Sequence, residues 1–203
     1  MILLSHNCRG LGFPSKKLAL KRLIEVHCPK ILMLQETMTC GDAINFDLSI
    51  LFSGWNFISL DKSGRSSRLI KGWNTSHFNY SISWALCSGL GMIVHSTYYG
   101  MYIKFINIYK PYQDRVPLWK NVFRTGLIRS NKVVMGGDLN FLLGESKVWG
   151  NRVRKDTQAD YFRRRLGEHS LCDITLVKLR PTWRNMCNGE DHITKRIDIF
   201  FYQ

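Results

Sequence analysis

Short apolar runs and amphipathic stretches alternate along the first forty residues, and this pattern predicts a strand, a helix and a second strand. The chain opens with an apolar run at 2–6. After Pro14, apolar residues recur at near-helical spacing with lysines between them, and Pro29 marks the expected end of that helix. The continuous apolar run at 31–34 is typical of a strand that is buried on both faces.

The middle of the chain predicts a pair of strands and an exposed loop. Residues 89–94 and 101–109 are expected to be strands paired across a turn at 99–100, since the second run alternates apolar and polar positions. Segment 61–72 holds four basic residues and one acid among glycines and serines, and this composition indicates an exposed loop or irregular hairpin.

The second half of the chain predicts two further helices and two further strands. One helix follows Pro117, a buried strand covers 132–135, a second helix ends at Leu166, and a final strand covers 196–202. These elements do not alternate with the regularity of a doubly wound parallel sheet. We therefore expect one α/β domain over 1–203, with mixed sheets covered by helices.

Positive charge is in strong excess. The chain carries 29 Lys and Arg residues against 15 Asp and Glu residues, which gives a formal net charge of +14. Such an excess favours a polyanionic partner, and nucleic acid is the commonest one. Basic residues concentrate at 62–71 and 147–165. In the second of these runs, Asp156 or Thr157 is the expected cap of the helix that ends at Leu166.

The composition excludes several classes of protein. Hydrophobic residues make up 45% of the chain, which excludes a disordered or collagen-like sequence. No apolar run approaches the roughly 20 residues that a membrane-spanning helix needs, and the apolar start is too short for a signal peptide. The six cysteines are scattered without zinc-ligand spacing, so reduced thiols are expected. We expect a soluble, intracellular protein without membrane association.

Several polar residues lie at or near the ends of predicted strands, where side chains from different strands tend to converge on one rim of a sheet. They are Asn7, Gln35, Glu36, Asn107, Tyr109, Asp138, Asn140 and Asp198. Carboxylates and amides grouped in this way suit a hard cation such as Mg²⁺. Each residue also has a structural alternative: Glu36 could form an ordinary ion pair with a lysine or arginine, and Tyr109 could belong to the core.

Short motifs that contain these residues follow one another in a characteristic order. They are S-H-N-C-R-G-L at 5–11, L-Q-E-T at 34–37, N-I-Y-K-P-Y at 107–112, G-G-D-L-N-F at 136–141, P-T-W-R-N at 181–185 and K-R-I-D at 195–198. Together they resemble the endonuclease/exonuclease/phosphatase superfamily, whose members include DNase I. Within it the chain is most similar to the endonuclease domain of plant LINE-type non-LTR retrotransposons.

The resemblance implies a four-layer α/β sandwich in which two mixed β-sheets are flanked by helices. It also implies a Mg²⁺-dependent phosphodiesterase, here a DNA endonuclease of retrotransposon origin. By match to the family motifs, Glu36 is the metal ligand. Asn7 matches the neighbouring asparagine, which helps to hold the metal or the scissile phosphate.

The remaining matches imply the groups that act on the phosphate and on the attacking water. Tyr109 matches a tyrosine that contacts the phosphate, and Asn140 matches an asparagine that positions it. Asp138 matches the aspartate that orients or deprotonates the water, and Asp198 matches one that buttresses a catalytic histidine. Phosphodiester hydrolysis needs both an activated water and positive charge on the phosphate oxygens.

One part of the family pattern has no match in the sequence. The family ends in a Ser-Asp-His motif and a further strand, whereas this chain stops at Gln203. We therefore expect a domain that lacks the terminal strand and is incomplete at its C-terminus. An alternative function is a catalytically inactive nucleic-acid-binding relic, and a phosphatase of the same fold ranks last. We expect the protein to be a monomer that binds DNA. A nuclear location is inferred from that substrate alone.

Overall fold

Two large β-sheets lie face to face, and helices cover the outer face of each sheet. The computed structural model describes residues 1–39, 41–60, 69–86, 88–109, 115–124, 126, 128, 132–150, 155–174 and 179–203. Its layers confirm the predicted α/β sandwich of two mixed sheets. In the described part of the chain, no helix is long and apolar enough to cross a membrane.

The first sheet contains the N-terminal strands. They are β1 (Leu3–Asn7), β2 (Ile31–Gln35), β3 (Trp55–Leu60) and β4 (Leu69–Asn74). Their spatial order is β1-β2-β4-β3, with β1 parallel to β2 and the other neighbours antiparallel. Every residue of β2 is buried, as its continuous apolar run predicts.

Two helices, α1 (Pro14–His27) and α2 (Gly41–Leu51), cover the outer face of the first sheet. Pro14 lies in the first turn of α1, where its missing N–H is not needed. Leu20 and Ile24 are one turn apart and pack against apolar side chains of β2. The sequence predicts α1 with nearly these bounds.

The second sheet contains six strands from the rest of the chain. They are β5 (Phe78–Leu86), β6 (Gly89–Ser96), β7 (Met101–Ile108), β8 (Val133–Asp138), β10 (Cys172–Asp173) and β13 (Asp198–Tyr202). Their order is β10-β13-β8-β7-β6-β5, and β7 and β8 are the parallel pair. The predicted strands at 89–94 and 101–109 are confirmed as the antiparallel pair β6 and β7.

Helices α3 (Arg115–Arg124) and α4 (Ala159–Glu168) cover the outer face of the second sheet. Trp119 of α3 and Phe162 of α4 lie edge to face, with ring centroids 5.9 Å apart. The helix predicted after Pro117 begins slightly earlier, so that this proline lies in its first turn.

A small third sheet was not predicted from the sequence. Its strands, β9 (Val148–Gly150), β11 (Trp183–Arg184) and β12 (Ile193–Lys195), lie in the order β11-β12-β9. All neighbours in this sheet are antiparallel.

Segment 61–72 was predicted to be an exposed loop or an irregular hairpin, and residues 61–68 lie outside the described part of the chain. The strands on either side of them, β3 and β4, are antiparallel neighbours as in a hairpin, but an exposed loop is wrong for the last residues of the segment. Residues 69–72 form the start of β4. Lys71, which belongs to the predicted basic run, is fully buried between the sheets and donates a hydrogen bond to the backbone carbonyl of Phe105. Burial lowers the pKa of Lys71 well below its ordinary value. This lysine therefore adds nothing to a basic surface.

Candidate active site

The ends of strands from both large sheets meet at one rim of the sandwich. Strand β1 ends at Asn7 and β2 ends just before Glu36 in the first sheet. In the second sheet β8 ends at Asp138, and the antiparallel β13 begins with Asp198 directly opposite it. The topology therefore brings four of the six predicted site residues to the same edge.

The amide of Asn7 joins the two sheets at this edge. Its Nδ2 donates one hydrogen bond to Oε1 of Glu36 at 2.8 Å and another to Oδ2 of Asp138 at 3.0 Å. Its own Oδ1 accepts a hydrogen bond from the backbone N–H of Arg9 at 3.2 Å. Two carboxylates that are 102 residues apart in the sequence are thus held beside one side chain.

The electrostatic environment of Asp138 is unfavourable to its charge. The pKa of Asp138 is raised to about 7, first by burial and then by the neighbouring charges of Asp198 and Glu36, against opposing hydrogen bonds from the side chain of Asn7 and the backbone of Asn140. Its Oδ1 is buried and accepts no hydrogen bond from a side chain of the described residues. Such a carboxylate needs a proton or a cation.

The pKa of the half-buried Asp198 is set by different neighbours. Burial raises the pKa of this carboxyl, while a hydrogen bond from Thr182 and the charge of Arg9 oppose the rise. Thr182 also fixes the start of β13, since its Oγ1 accepts hydrogen bonds from the backbone N–H groups of Ile197 and Asp198 at 3.1 and 3.2 Å.

The phenol of Tyr109 faces the same carboxylates. Its side chain is almost completely buried, and its backbone N–H bonds to the carbonyl of Ser88 at 3.0 Å. Burial raises the pKa of Tyr109, and contact with Glu36 and the charge of Asp138 raise it further. The hydroxyl is therefore protonated at neutral pH and donates its hydrogen bond towards Glu36.

Residues with positive φ occur in the loops that leave the three site strands. The φ angles are +45° for Arg9, +47° for Glu36 and +49° for Asn140. Left-handed backbone is uncommon outside glycine and is often found at functional sites. The loops after β1 and β2 brace one another, because Gly10 N–H bonds to the Glu36 carbonyl at 2.8 Å.

Asn140 lies further along the same rim. It follows β8 by two residues and borders a cavity of about 540 Å³ that is also lined by Trp183 and Lys195. The structure thus places all six predicted site residues at one end of the sandwich, with Asn7, Glu36 and Asp138 in direct contact.

Behind the carboxylates, a buried amide pair connects the two sheets. Gln35 of β2 donates from Nε2 to Oδ1 of Asn107 on β7 at 2.6 Å. Asn107 in turn donates to the carbonyls of Leu34 at 3.0 Å and Ile70 at 3.3 Å. Both amide side chains are completely buried, so the distance between the sheets is fixed by hydrogen bonds at this end.

The geometry bears on the alternative that Glu36 forms an ordinary ion pair. Within the described residues, no lysine or arginine lies within ion-pair distance of Glu36, whose carboxylate bonds to Asn7 instead. Sequence reasoning missed two neighbours of the site, Arg9 and Thr182. Arg9 belongs to the motif at 5–11 that also supplies Asn7, and Thr182 belongs to the motif at 181–185, which supplies no predicted site residue.

The donor set fits a divalent ion such as Mg²⁺. In the described ranges there is no group of three or more Asp, Glu, His or Cys side chains that would form a complete protein cage for a metal. Glu36, held by Asn7, instead offers a hard oxygen ligand at this rim, and the carboxylate of Asp138 lies on the other side of Asn7. Mg²⁺ is commonly held in this way, by one or two carboxylates together with water and substrate phosphate.

No protein-family model and no curated protein matches the sequence. The structure is similar to the endonuclease domain of TRAS1, a telomere-specific non-LTR retrotransposon, with a TM-score of 0.72 and 15% identity over 99% of this chain and 84% of that one. It is also similar to the AP endonuclease LMAP from Leishmania major, with a TM-score of 0.75 and 17% identity over 98% and 78% of the two chains.

A third similar structure is D. rerio TDP2 in complex with a single-strand DNA product. The TM-score is 0.66 and the identity 16%, over 98% of this chain and 82% of that one. Identities this low establish the architecture and leave the activity open. The chain has the DNase I-like fold of the endonuclease/exonuclease/phosphatase proteins.

Proposed function

We propose that the protein is a Mg²⁺-dependent phosphodiesterase that acts on DNA as an endonuclease. The observation that carries the proposal is the Asn7 amide that holds Glu36 and Asp138 together where the two sheets meet. A carboxylate pair of this kind at an open rim of this fold is suited to phosphodiester hydrolysis.

Each residue of the candidate site has a distinct role in the proposed reaction. A divalent ion, when bound, supplies positive charge to the phosphate oxygens and to the leaving alkoxide. Glu36 and Asn7 hold that ion and the scissile phosphate. With its pKa near 7, Asp138 accepts a proton from the attacking water at neutral pH.

The other site residues act on the phosphate and on Asp138. Tyr109 keeps its proton and donates a hydrogen bond to a phosphate oxygen. Asn140 orients the phosphate beside it. The carboxyl of Asp198, opposite Asp138 on β13, raises the affinity of Asp138 for a proton and thereby strengthens it as a base. Arg9 places a guanidinium at the outer edge of the site.

Two observations support DNA as the substrate. The similar structures include a retrotransposon endonuclease, an AP endonuclease and a protein in complex with a DNA product. The net charge of +14 favours a polyanion. The motif pattern supports a plant LINE-type retrotransposon as the origin of the chain.

The basic run at 147–165 contributes less positive surface than its sequence suggests. In the described part of that run, Lys147 pairs with Asp173, Lys155 and Arg163 pair with Asp160, and Arg165 pairs with Glu168. These ion pairs neutralise part of the positive charge of the run.

The proposal is tested by nicking of supercoiled plasmid with the full 203-residue chain, with Mg²⁺ or with EDTA. We expect nicking only with the metal, and we expect Glu36→Gln and Asp138→Asn each to reduce its rate at least about 100-fold. Glu25→Gln makes the same chemical change on the exposed face of α1 and should leave the rate unchanged.

Two outcomes would contradict the proposal. Glu36→Gln that nicks as fast as the parent would remove Glu36 from the site. Salt-sensitive DNA binding without nicking at any divalent ion concentration would identify the alternative, an inactive nucleic-acid-binding protein. For such a protein the logarithm of the binding constant falls linearly with the logarithm of the salt concentration.

A further inference from the structure

A buried ion pair lies beneath the loop that carries Asn140. Arg115, the first residue of α3, donates from Nη1 to Oδ2 of Asp156 at 2.6 Å and from Nη2 to Oδ1 at 3.0 Å. The two side chains are only 2% and 3% exposed. Removing two charges from water is costly, and a buried pair of this kind often adds little net stability to a fold.

Both members of the ion pair form hydrogen bonds with the backbone of the loop at 139–142. Nη1 of Arg115 donates a second hydrogen bond, at 2.7 Å, to the backbone carbonyl of Asn140. Oδ2 of Asp156 accepts the backbone N–H of Leu142 at 3.2 Å. The two anchored peptide groups, 140–141 and 141–142, directly follow the Cα of Asn140, whose backbone is left-handed with φ of +49°.

The position of Asp156 differs from the sequence-based expectation. A cap on α4 was predicted at Asp156 or Thr157, but the helix begins at Ala159 with Gln158 as its N-cap and no side-chain cap bond. The carboxylate of Asp156 does accept the N–H of Gln158 at 3.0 Å. Burial would raise the pKa of Asp156, yet its hydrogen bonds and the charge of Arg115 outweigh burial, and the pKa lies below its ordinary value.

We propose that the Arg115–Asp156 pair is a positioning device that holds the loop at 139–142 and thereby sets the place of Asn140 beside the scissile phosphate. The inference rests on the proposed function, which gives Asn140 its role. The planar guanidinium can bond to a carboxylate and to a carbonyl at the same time, whereas a lysine amine lacks this fixed fork. Arg115 and Asp156 act through Asn140 and do not touch the substrate.

The test compares Arg115→Lys with Asp156→Asn, and uses Val94→Ala as the control. Val94 is completely buried on the inner face of β6, towards the opposite end of the sandwich. Its truncation destabilises the fold without touching the loop. If Arg115→Lys does not fold, Asp156→Asn tests the same contact, because it keeps the shape of the side chain and removes its charge.

The first measurement is hydrogen exchange at the backbone amide of Leu142. A hydrogen bond to a charged group commonly shifts an equilibrium by about tenfold or more. We therefore expect exchange at Leu142 to rise at least about tenfold in Arg115→Lys and Asp156→Asn, relative to amides of α3 in the same variant. In Val94→Ala this ratio should match the parent protein.

The second measurement is the nicking rate in a double-mutant cycle with Asn140→Ala. Arg115→Lys should lower kcat about tenfold or more with KM nearly unchanged, because misplacement of a positioning group acts on the transition state. In the Asn140→Ala background, Arg115→Lys should lower kcat no further.

The two measurements separate this inference from the proposed function. A parent protein that never nicks contradicts the proposed function, while the exchange of Leu142 still decides whether the pair holds the loop. Unchanged exchange at Leu142 in both variants overturns the inference. A loss of kcat from Arg115→Lys that is equally large without the Asn140 side chain also overturns it.

Discussion

The space between the two sheets is filled differently at its two ends. At the site end, the completely buried amides of Gln35 and Asn107 are joined by a hydrogen bond of 2.6 Å and lie near a small apolar cluster of Leu69, Leu90 and Tyr109. At the opposite end, the same space is filled by apolar side chains such as Trp73, Phe78 and Val94. The site end therefore adds directional hydrogen bonds between buried amides to apolar packing, whereas the opposite end depends mainly on burial of apolar surface.

This difference indicates how stability and activity are divided in the molecule. Hydrogen bonds fix the positions of strand ends to within tenths of an ångström, but each unsatisfied partner is costly. Apolar packing tolerates small shifts and provides most of the free energy of folding. We infer that the apolar end stabilises the sandwich and that the polar end determines the geometry of the carboxylates.

The largest expected effect is on stability and comes from the apolar end. Phe78→Ala removes a buried ring that meets Phe105 edge to face at 6.1 Å. We expect it to lower the free energy of unfolding by about 3 kcal/mol, measured by denaturant titration. The folded protein should nick plasmid at the parental kcat. A kcat that falls with stability would show that the two ends are not independent.

The next largest effect comes from the amide pair of Gln35 and Asn107, and it should change both the free energy of unfolding and kcat. Asn107→Leu leaves the amide of Gln35 and the carbonyls of Leu34 and Ile70 without their partner. We expect a loss of about 1–3 kcal/mol in the free energy of unfolding, together with a lower kcat because the sheets are no longer held at one spacing. Phe78→Ala serves as the control, since it is at least as destabilising and lies away from the amides.

The third prediction concerns the charge of Asp138 in the metal-free protein. Its folded-state pKa of about 7 lies above the ordinary value, so its contribution to stability is complete at acidic pH and is lost as pH rises through 7. Asp138→Asn removes this pH dependence, and it also reduces the rate of nicking. In EDTA at pH 8 we expect the variant to be more stable than the parent, on the order of 2 kcal/mol.

Thermal unfolding of both proteins between pH 4 and pH 8 tests this prediction. The difference in Tm should be small at pH 4 and should grow as the pH increases. A difference in Tm that is constant across this pH range would show that Asp138 is not the group that causes the pH dependence of stability. Catalytic carboxylates often destabilise the free protein, which is one form of the trade-off between stability and activity.

Comparison with the sequence shows why some elements could be predicted and others could not. The run at 31–34 predicts β2 because a strand covered on both faces is continuously apolar. Helix α2 was missed because apolar and polar residues alternate in it, as in a strand. The helix buries Ile44 and Leu48, and it leaves Phe46 and Ile50 each 68% exposed.

In the candidate site, too, some features could be predicted from the sequence and others could not. Motif order could predict that Asn7, Glu36 and Asp138 belong together, since residues of one site recur in a family pattern. The partner of Asp156 could not be predicted, because Arg115 is 41 residues away and the contact depends on how α3 and α4 pack. Long-range pairing of this kind has no periodicity in the sequence.

The smallest expected effect comes from a glycine in the turn between β6 and β7, away from the site. Gly100 has φ of +61°, and a Cβ added there would meet no atom within 4 Å. Gly100→Ala should therefore lower the free energy of unfolding by only about 1 kcal/mol, through the left-handed backbone alone. Asn tolerates this conformation better than Ala, so Gly100→Asn should have a smaller effect. Denaturant titration measures both variants, and nicking should proceed at the parental rate in each. If either variant slows nicking more than about twofold, the turn is coupled to the carboxylates through β7, and the division between a stabilising end and an active end fails.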